Sequence, residues 1–382
     1  MFKHKNPIFF LFLFCFLNIP LLSQVITIDS HIDIPFDYME NPQHDPGKIT
    51  DMQVDLDKMK KGGLDSAFFV VYVPQGPLDK AGFKKAKLLA EKKFLAISKM
   101  TKTYSNQIGL ALAPEDIIQL KNNNLLSAAI GIENGYVIGE DLSLLDHYYS
   151  LGARYMTLTH IGHNQIADSS IPSKRLNDEE ELHGGISAFG KKAIKRMNKL
   201  GMMIDISHIS DKASLEAIKL SSAPVIASHS CVKSIADHPR NISDELLFAL
   251  KENEGVIQIT AFANYVKVNN DRFNSIISLG NKVAKLYGDK SFNPSLHSNK
   301  REYLEGIENI NMEFPMPDID DFIDHIDYVV DLIGVDYVGI SSDFGGGGGI
   351  SGWIDASETK LLTRKLKERG YSPKEIEKIW GG

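Results

Sequence analysis

Cysteine is scarce in this chain of 382 residues, where Cys15 and Cys231 are the only two. Cys15 sits among Leu13, Phe14 and Phe16, side chains too bulky for a lipoprotein cleavage box, so no lipid anchor is expected there. Once the first residues are removed, Cys231 has no partner, which excludes the small disulfide-stapled class. Long apolar runs are missing too. The one candidate, Ile8 to Ile19, follows Lys3, His4 and Lys5 and is too short for a comfortable membrane span. It reads as a secretory signal with cleavage after Ser23, leaving a single domain over 24–382 and predicting an exported protein, periplasmic or secreted, without a stable membrane anchor. Positive charge is the third shortage. Lys and Arg number 42 against 49 Asp and Glu, a formal charge of −7 that becomes −9 when Lys3 and Lys5 are lost. With no basic stripe anywhere, nucleic acid is excluded as a partner.

What is present is a regular alternation. Short apolar runs predict strands at Val25–Ile28 and onward, Ala67–Val73, Ser127–Ile132, Ala153–Thr159, Met202–Ile206, Pro224–Ser228, Gly255–Thr260 and Val335–Ile340. Between them, 3.6-residue patterns predict helices, among them Lys80–Ser105 with Asp79 as its cap, Ala188–Leu200, Asp211–Leu220 and Asp318–Ile333; Glu358–Arg369 and Pro373–Trp380 close the chain. Eight strands, each followed by helix, predict an α/β fold of the (β/α)8 TIM-barrel type. A doubly wound sheet is the alternative, but no Gly-x-Gly-x-x-Gly loop follows the first strand. The stretch 264–315 is too long for a simple loop and has a helical pattern of its own around Ser275 to Leu286, so an insertion beside the barrel mouth is expected.

The chemistry gathers where these runs end. His31 and Asp33 close the first run two positions apart, so an extended chain points both to one side and could offer a nitrogen and an oxygen to one metal ion. Later runs end in Glu133, His160, His208, His229 and Asp343. Each has an ordinary reading as a helix cap or a core histidine. In a barrel, however, all these ends share one rim, the rim that carries catalytic groups in this fold. Together they are hard to obtain from caps alone, and the joint pattern favours a metal-binding or acid/base site at that rim.

The segments that carry these residues, Asp29-Ser30-His31-Ile32-Asp33, Gly131-Ile132-Glu133-Asn134-Gly135, Arg154 to His160, Asp205-Ile206-Ser207-His208, Ala227-Ser228-His229-Ser230, His238-Pro239-Arg240-Asn241 and Ser342-Asp343-Phe344, resemble those of the renal (membrane) dipeptidase family. The resemblance runs from about Ile28 to the end, outside 264–315. It implies a binuclear zinc centre that hydrolyses dipeptides by attack of metal-bound hydroxide. His31 and Asp33 would bind one zinc, His208 and His229 the other, and Glu133 would bridge the two. It further implies His160 on the substrate carbonyl oxygen, Arg240 on the terminal carboxylate and Asp343 as proton shuttle; the ordinary reading of Arg240 is a surface salt bridge. Two departures stand out: Phe344 is followed by Gly345 to Gly349, expected to form a mobile loop, and the chain stops at Gly381-Gly382 where that family commonly runs on. Another amide hydrolase on the same metal centre, such as an N-acyl amino acid deacylase, and a non-catalytic peptide-binding protein stay open. Oligomeric state is not legible, and a homodimer is compatible with the sequence.

Overall fold

The computed structural model describes residues 25–290, 292, 297, 298 and 300–382, so the signal-peptide reading and Cys15 lie outside the described residues. Nine strands form one parallel sheet: β1 (Ile28–Asp33), β2 (Ser66–Tyr72), β3 (Ile108–Leu110), β4 (Leu126–Glu133), β5 (Ala153–Thr157), β6 (Met203–Asp205), β7 (Ile226–Ser230), β8 (Val256–Thr260) and β9 (Val338–Ser341). Eight of them follow one another in the order β1-β2-β4-β5-β6-β7-β8-β9, and β1 meets β9 through a parallel bridge between Ile32 and Phe344. This is the expected (β/α)8 barrel. The strand not foreseen is β3, which pairs alongside the first residues of β4, with Ile108 opposite Leu126. Three residues interrupted by Gly109 make too short an apolar run to read as a strand. Helix Pro114–Asn122, which follows β3, was missed with it.

The runs are apolar because both faces of each strand are covered. All eight residues of β4 are buried, and so are all five of β7. The outer helices turn their apolar stripes inward: Ile319–Ile333 buries Phe322, Ile323, Ile326, Val329 and Ile333, and Lys80–Thr103 buries Ala86, Ala90, Phe94, Ile97 and Met100. The Asp79 cap forms as expected. Asp79, Ser187, Ser210, Ser243 and Asp318 each accept a backbone amide at the head of the helix they precede. Between β8 and Ile319 the chain forms helices Asn270–Leu286 and Arg301–Glu313, which meet through Arg272 to Asn311 at 2.8 Å and Tyr287 to Glu302 at 2.9 Å. No helix among the described residues is long and apolar enough to cross a membrane.

Two contacts around the barrel have little regular ladder, and a buried carboxylate stitches each. Between β9 and β1, Asp29 Oδ1 accepts the amides of His31 at 3.1 Å and Ser342 at 2.9 Å. Between β6 and β7, where the ladder pairs only Asp205 with Ile226, Asp205 Oδ1 accepts the amides of Ser207 at 3.0 Å and Ser228 at 2.9 Å. An amide buried without an acceptor costs about 1–3 kcal/mol, so Asp29→Ala is expected to lower the unfolding free energy by about 2–5 kcal/mol. Asp29→Asn, which keeps one acceptor oxygen, should lose clearly less. Urea denaturation of the two variants checks this; equal losses would mean that the β1–β9 backbone bonds close the barrel unaided.

Candidate metal centre

Glu133 ends β4 with its carboxylate enclosed, and four imidazoles from β1, β7 and the segments that follow β5 and β6 converge on it. His208 Nε2 is 3.0 Å, His229 Nε2 3.4 Å and His160 Nε2 3.6 Å from Oε1, while His31 Nε2 is 3.6 Å from Oε2. Asp33 Oδ2 lies 3.7 Å from His31 Nε2, and Asp343 joins His31 and Asp33 in a third group whose donor atoms fall within 4.8 Å of one another. The structure therefore brings all seven strand-end residues together. Two further donor groups overlap at Glu133, one with His31 and His229 and one with His160 and His208. His160 and Asp343 thus stand as near to the donor cluster as the residues expected to be ligands.

The tautomers of two histidines follow from their neighbours. The Tyr155 hydroxyl donates to Ser30 O at 3.1 Å, so its oxygen is left to accept from His31 Nδ1 at 2.9 Å. Similarly, Ser228 Oγ donates to Asp205 Oδ2 at 2.6 Å and accepts from His229 Nδ1 at 2.8 Å. With a proton on each Nδ1, each Nε2 turns a lone pair toward Glu133, as a metal ligand must. His31 Nε2 and Asp33 Oδ1 are buried with no hydrogen-bond partner, and His208 Nε2 faces His229 Nε2 at 2.9 Å. Orphaned donor atoms of this kind fit a bound divalent cation.

The electrostatics agree. Burial pushes His229 well below the ordinary imidazole value, with His31 adding to it, and burial together with Arg240 does the same for His208, so both rings are neutral, the form a metal ion would need. Burial alone would raise Glu133, but His160 and His31 outweigh it and hold the carboxyl well below the usual range. Burial pulls His31 down as well, yet Glu133 and Asp33 hold it well above its normal value; a cation among these atoms would supply the positive charge they demand. For Asp343, burial drives the carboxyl well above its ordinary value, with Asp33 and Glu133 contributing in the same direction.

Local backbone geometry aims these groups. Asn134, His208 and Asp343 have φ of 81°, 71° and 58°, a region that side chains other than glycine seldom enter. Asn134 is held there by bonds from its amide to Val73 O and Gln75 Oε1, both at 3.1 Å, and by one from Asn164 Nδ2 at 3.0 Å. His160 lies three residues beyond β5, not at its last position, and its carbonyl accepts from Ser169 Oγ. Asp168 anchors the rest of that loop by accepting the amides of Leu182, His183 and Gly185. The Gly345 to Gly349 run, expected to be mobile, forms a bonded turn. Gly345 N donates to Gln53 Oε1 at 2.9 Å, Gly346 N and Gly348 N to Asp343 O at 3.1 and 2.8 Å, and Gly349 N to Ala261 O at 2.9 Å. It closes so tightly that a Cβ on Gly346 would sit 2.4 Å from both Asp33 Oδ2 and Asp343 Oδ1.

This arrangement can now be compared with known proteins. The model of the membrane dipeptidase family, peptidase family M19, matches residues 18–382. The chain belongs to that family. It is a metallopeptidase. The solved structure of the probable dipeptidase PvdM from Pseudomonas aeruginosa superposes with a TM-score of 0.81 at 32% identity, over 94% of each chain. Dipeptidase tcpJ of Claviceps purpurea is 28% identical over 91% of this chain and 71% of its own, and dipeptidase verJ of Clonostachys rogersoniana is 28% identical over 94% and 83%.

Reading the strand ends missed the groups behind this dipeptidase-family centre: Tyr155, Ser228, Asp205 and Asn134. A signal existed for one of them, since an aspartate between Ile204 and Ile206 is out of place in an apolar strand unless it is bonded. Tyr155→Phe removes the acceptor that fixes the His31 tautomer. It is expected to weaken metal affinity by about 10–100-fold with the fold intact, as loss of such outer partners usually does. Competition with a chromogenic chelator measures it, and unchanged affinity would mean that His31 is oriented by packing alone.

Proposed function

We propose that this metallopeptidase hydrolyses dipeptides at a centre of two zinc ions. In this reading His31 and Asp33 would hold one ion, His208 and His229 the other, and Glu133 would serve both. Residues 1–23 serve as a secretory signal, so the enzyme acts outside the cytoplasm. When bound, the ions lower the pKa of a water toward about 7 and polarise an amide carbonyl. The rest falls to the chain's own groups. His160 is only partly exposed beside Glu133 and donates to the carbonyl oxygen of the scissile bond. Asp343 takes a proton and passes it to the leaving amine, which departs poorly without one.

Arg240 carries the substrate reading. It is only 2% exposed, and among the described residues it has no acidic partner, which removes the surface salt-bridge alternative. Its guanidinium donates to His229 O at 3.0 Å and Ser230 Oγ at 3.4 Å, stacks over Tyr265 at 5.3 Å, and leaves Nε unbonded. A buried planar cation with an unused donor beside the donor cluster suits a free carboxylate, such as the C-terminus of a dipeptide.

Zinc-loaded protein is expected to carry close to two equivalents by elemental analysis and to lose hydrolysis reversibly to a chelator; a stoichiometry near zero would overturn the centre. Arg240→Ala should raise KM about 10–100-fold for free dipeptides and far less for C-terminally amidated ones. Equal loss on both would make the arginine structural. Asp343→Asn should keep its zinc while kcat falls about 10²–10⁴-fold. If metal content and rate fell together, Asp343 would be a ligand and not the proton carrier.

A further inference from the structure

A second cation faces this centre, from a helix and not from a strand end. Helix Lys80–Thr103 turns Ala86, Ala90, Phe94, Ile97 and Met100 toward the barrel, and Lys93 shares that buried face at 2% exposure. Its Nζ lies 4.7 Å from the ring centroid of Phe36 and 5.5 Å from that of Tyr72. Among the described residues it has neither a hydrogen-bond acceptor nor an ion-pair partner. Aromatic faces recover only part of the hydration a buried ammonium gives up. The carboxylates that act on it through space are Asp33 and Glu133, both turned toward His31. Arg175 also acts on Tyr72, while its guanidinium donates to Gln75 O at 2.6 Å. The Tyr72 ring in turn lies 4.7 Å from that of His160.

Position gives this ammonium a direction. Tyr72 ends β2, whereas Arg240 is bonded to the end of β7, and these strands stand four places apart in a ring of eight. Lys93 and Arg240 therefore flank Glu133 from opposite sides of the barrel mouth. If Arg240 takes the C-terminal carboxylate, as proposed above, the side chain of the first residue extends toward Tyr72 and Lys93.

We propose that Lys93 is a specificity-determining residue that pairs with an anionic side chain on the N-terminal residue, so that the enzyme favours dipeptides beginning with aspartate or glutamate. The inference rests on the dipeptidase reading of the same site. An incoming carboxylate supplies the acceptor that the protein withholds from Lys93, and a neutral isostere leaves the ammonium unpaired.

The test compares Glu-Ala with Gln-Ala, which differ by a charge at nearly constant shape, with Ala-Ala as reference, on zinc-loaded full-length enzyme at pH 7. Wild type is expected to show kcat/KM roughly 10–100-fold higher for Glu-Ala than for Gln-Ala. Lys93→Met should bring that ratio near one, and Lys93→Arg, which keeps the charge, should retain most of it. A wild-type ratio of one or below overturns the inference whether or not any variant folds. So does a high ratio that survives Lys93→Met. If all three dipeptides resist hydrolysis, the dipeptidase reading fails and this inference with it; efficient cleavage of Ala-Ala and Gln-Ala without preference for Glu-Ala overturns Lys93 alone.

Discussion

One carboxylate shared among four imidazoles is the constraint from which the rest of this structure follows. Glu133 comes from β4, and the histidines around it come from β1, from the loop after β5, from just beyond β6 and from β7. No local segment can assemble that set, because its members are separated by as many as 198 positions along the chain. A closed ring of parallel strands can, since every strand delivers its C-terminal end to the same rim. The closure must also be firm at its weakest contacts, and there a buried aspartate bonds amides on both sides of the gap. Asp205 does both jobs at once. One oxygen joins β6 to β7, while the other receives Ser228, the residue that sets the tautomer of His229.

Conformations with positive φ cost of order 1–3 kcal/mol each for residues other than glycine, and here they coincide with the chemistry. His208 and Asp343 adopt them themselves, and Asn134 adopts one directly after Glu133. Ordinary strand geometry would send consecutive side chains to opposite faces. A left-handed residue at the strand's end re-aims its side chain into the ring, and the amide bonds of Asn134 and the turn closed on Asp343 O keep that geometry in place.

The barrel was legible because its strands are short, apolar and separated by capped helices, and the metal centre because His, Asp and Glu recur where those runs stop. The failures have a common cause. Ile108–Leu110 is a strand only because β4 offers it an edge, so its own three residues carry no pattern. Tyr155 reads as one more apolar strand residue until His31 is placed 2.9 Å from its hydroxyl. Lys93 hides in a lysine-rich helix, where only the burial of Ala90 and Ile97 on the same face marks it off from its solvated neighbours. For Arg240, whether it is buried or paired at the surface cannot be read along the chain. In each case the missing information is a contact across the barrel, and sequence order does not contain it.

The turn from Gly345 to Gly349 gives one arc of the rim, between β9 and β1, a surface of backbone alone. Where it crosses Asp33 and Asp343 it touches them with backbone alone, and at Gly348 a Cβ would fall 1.9 Å from Ser342 O. That arc has no side chains to vary, so it can cover the centre but has no vocabulary with which to choose among ligands. Selection is left to the rest of the rim, where Phe36 after β1, Tyr72 at the end of β2 and the loop after β5 project whole side chains. Descendants of this sequence could thus change what they accept by drifting on one side of the mouth while the other side, closed to drift, keeps the chemistry constant.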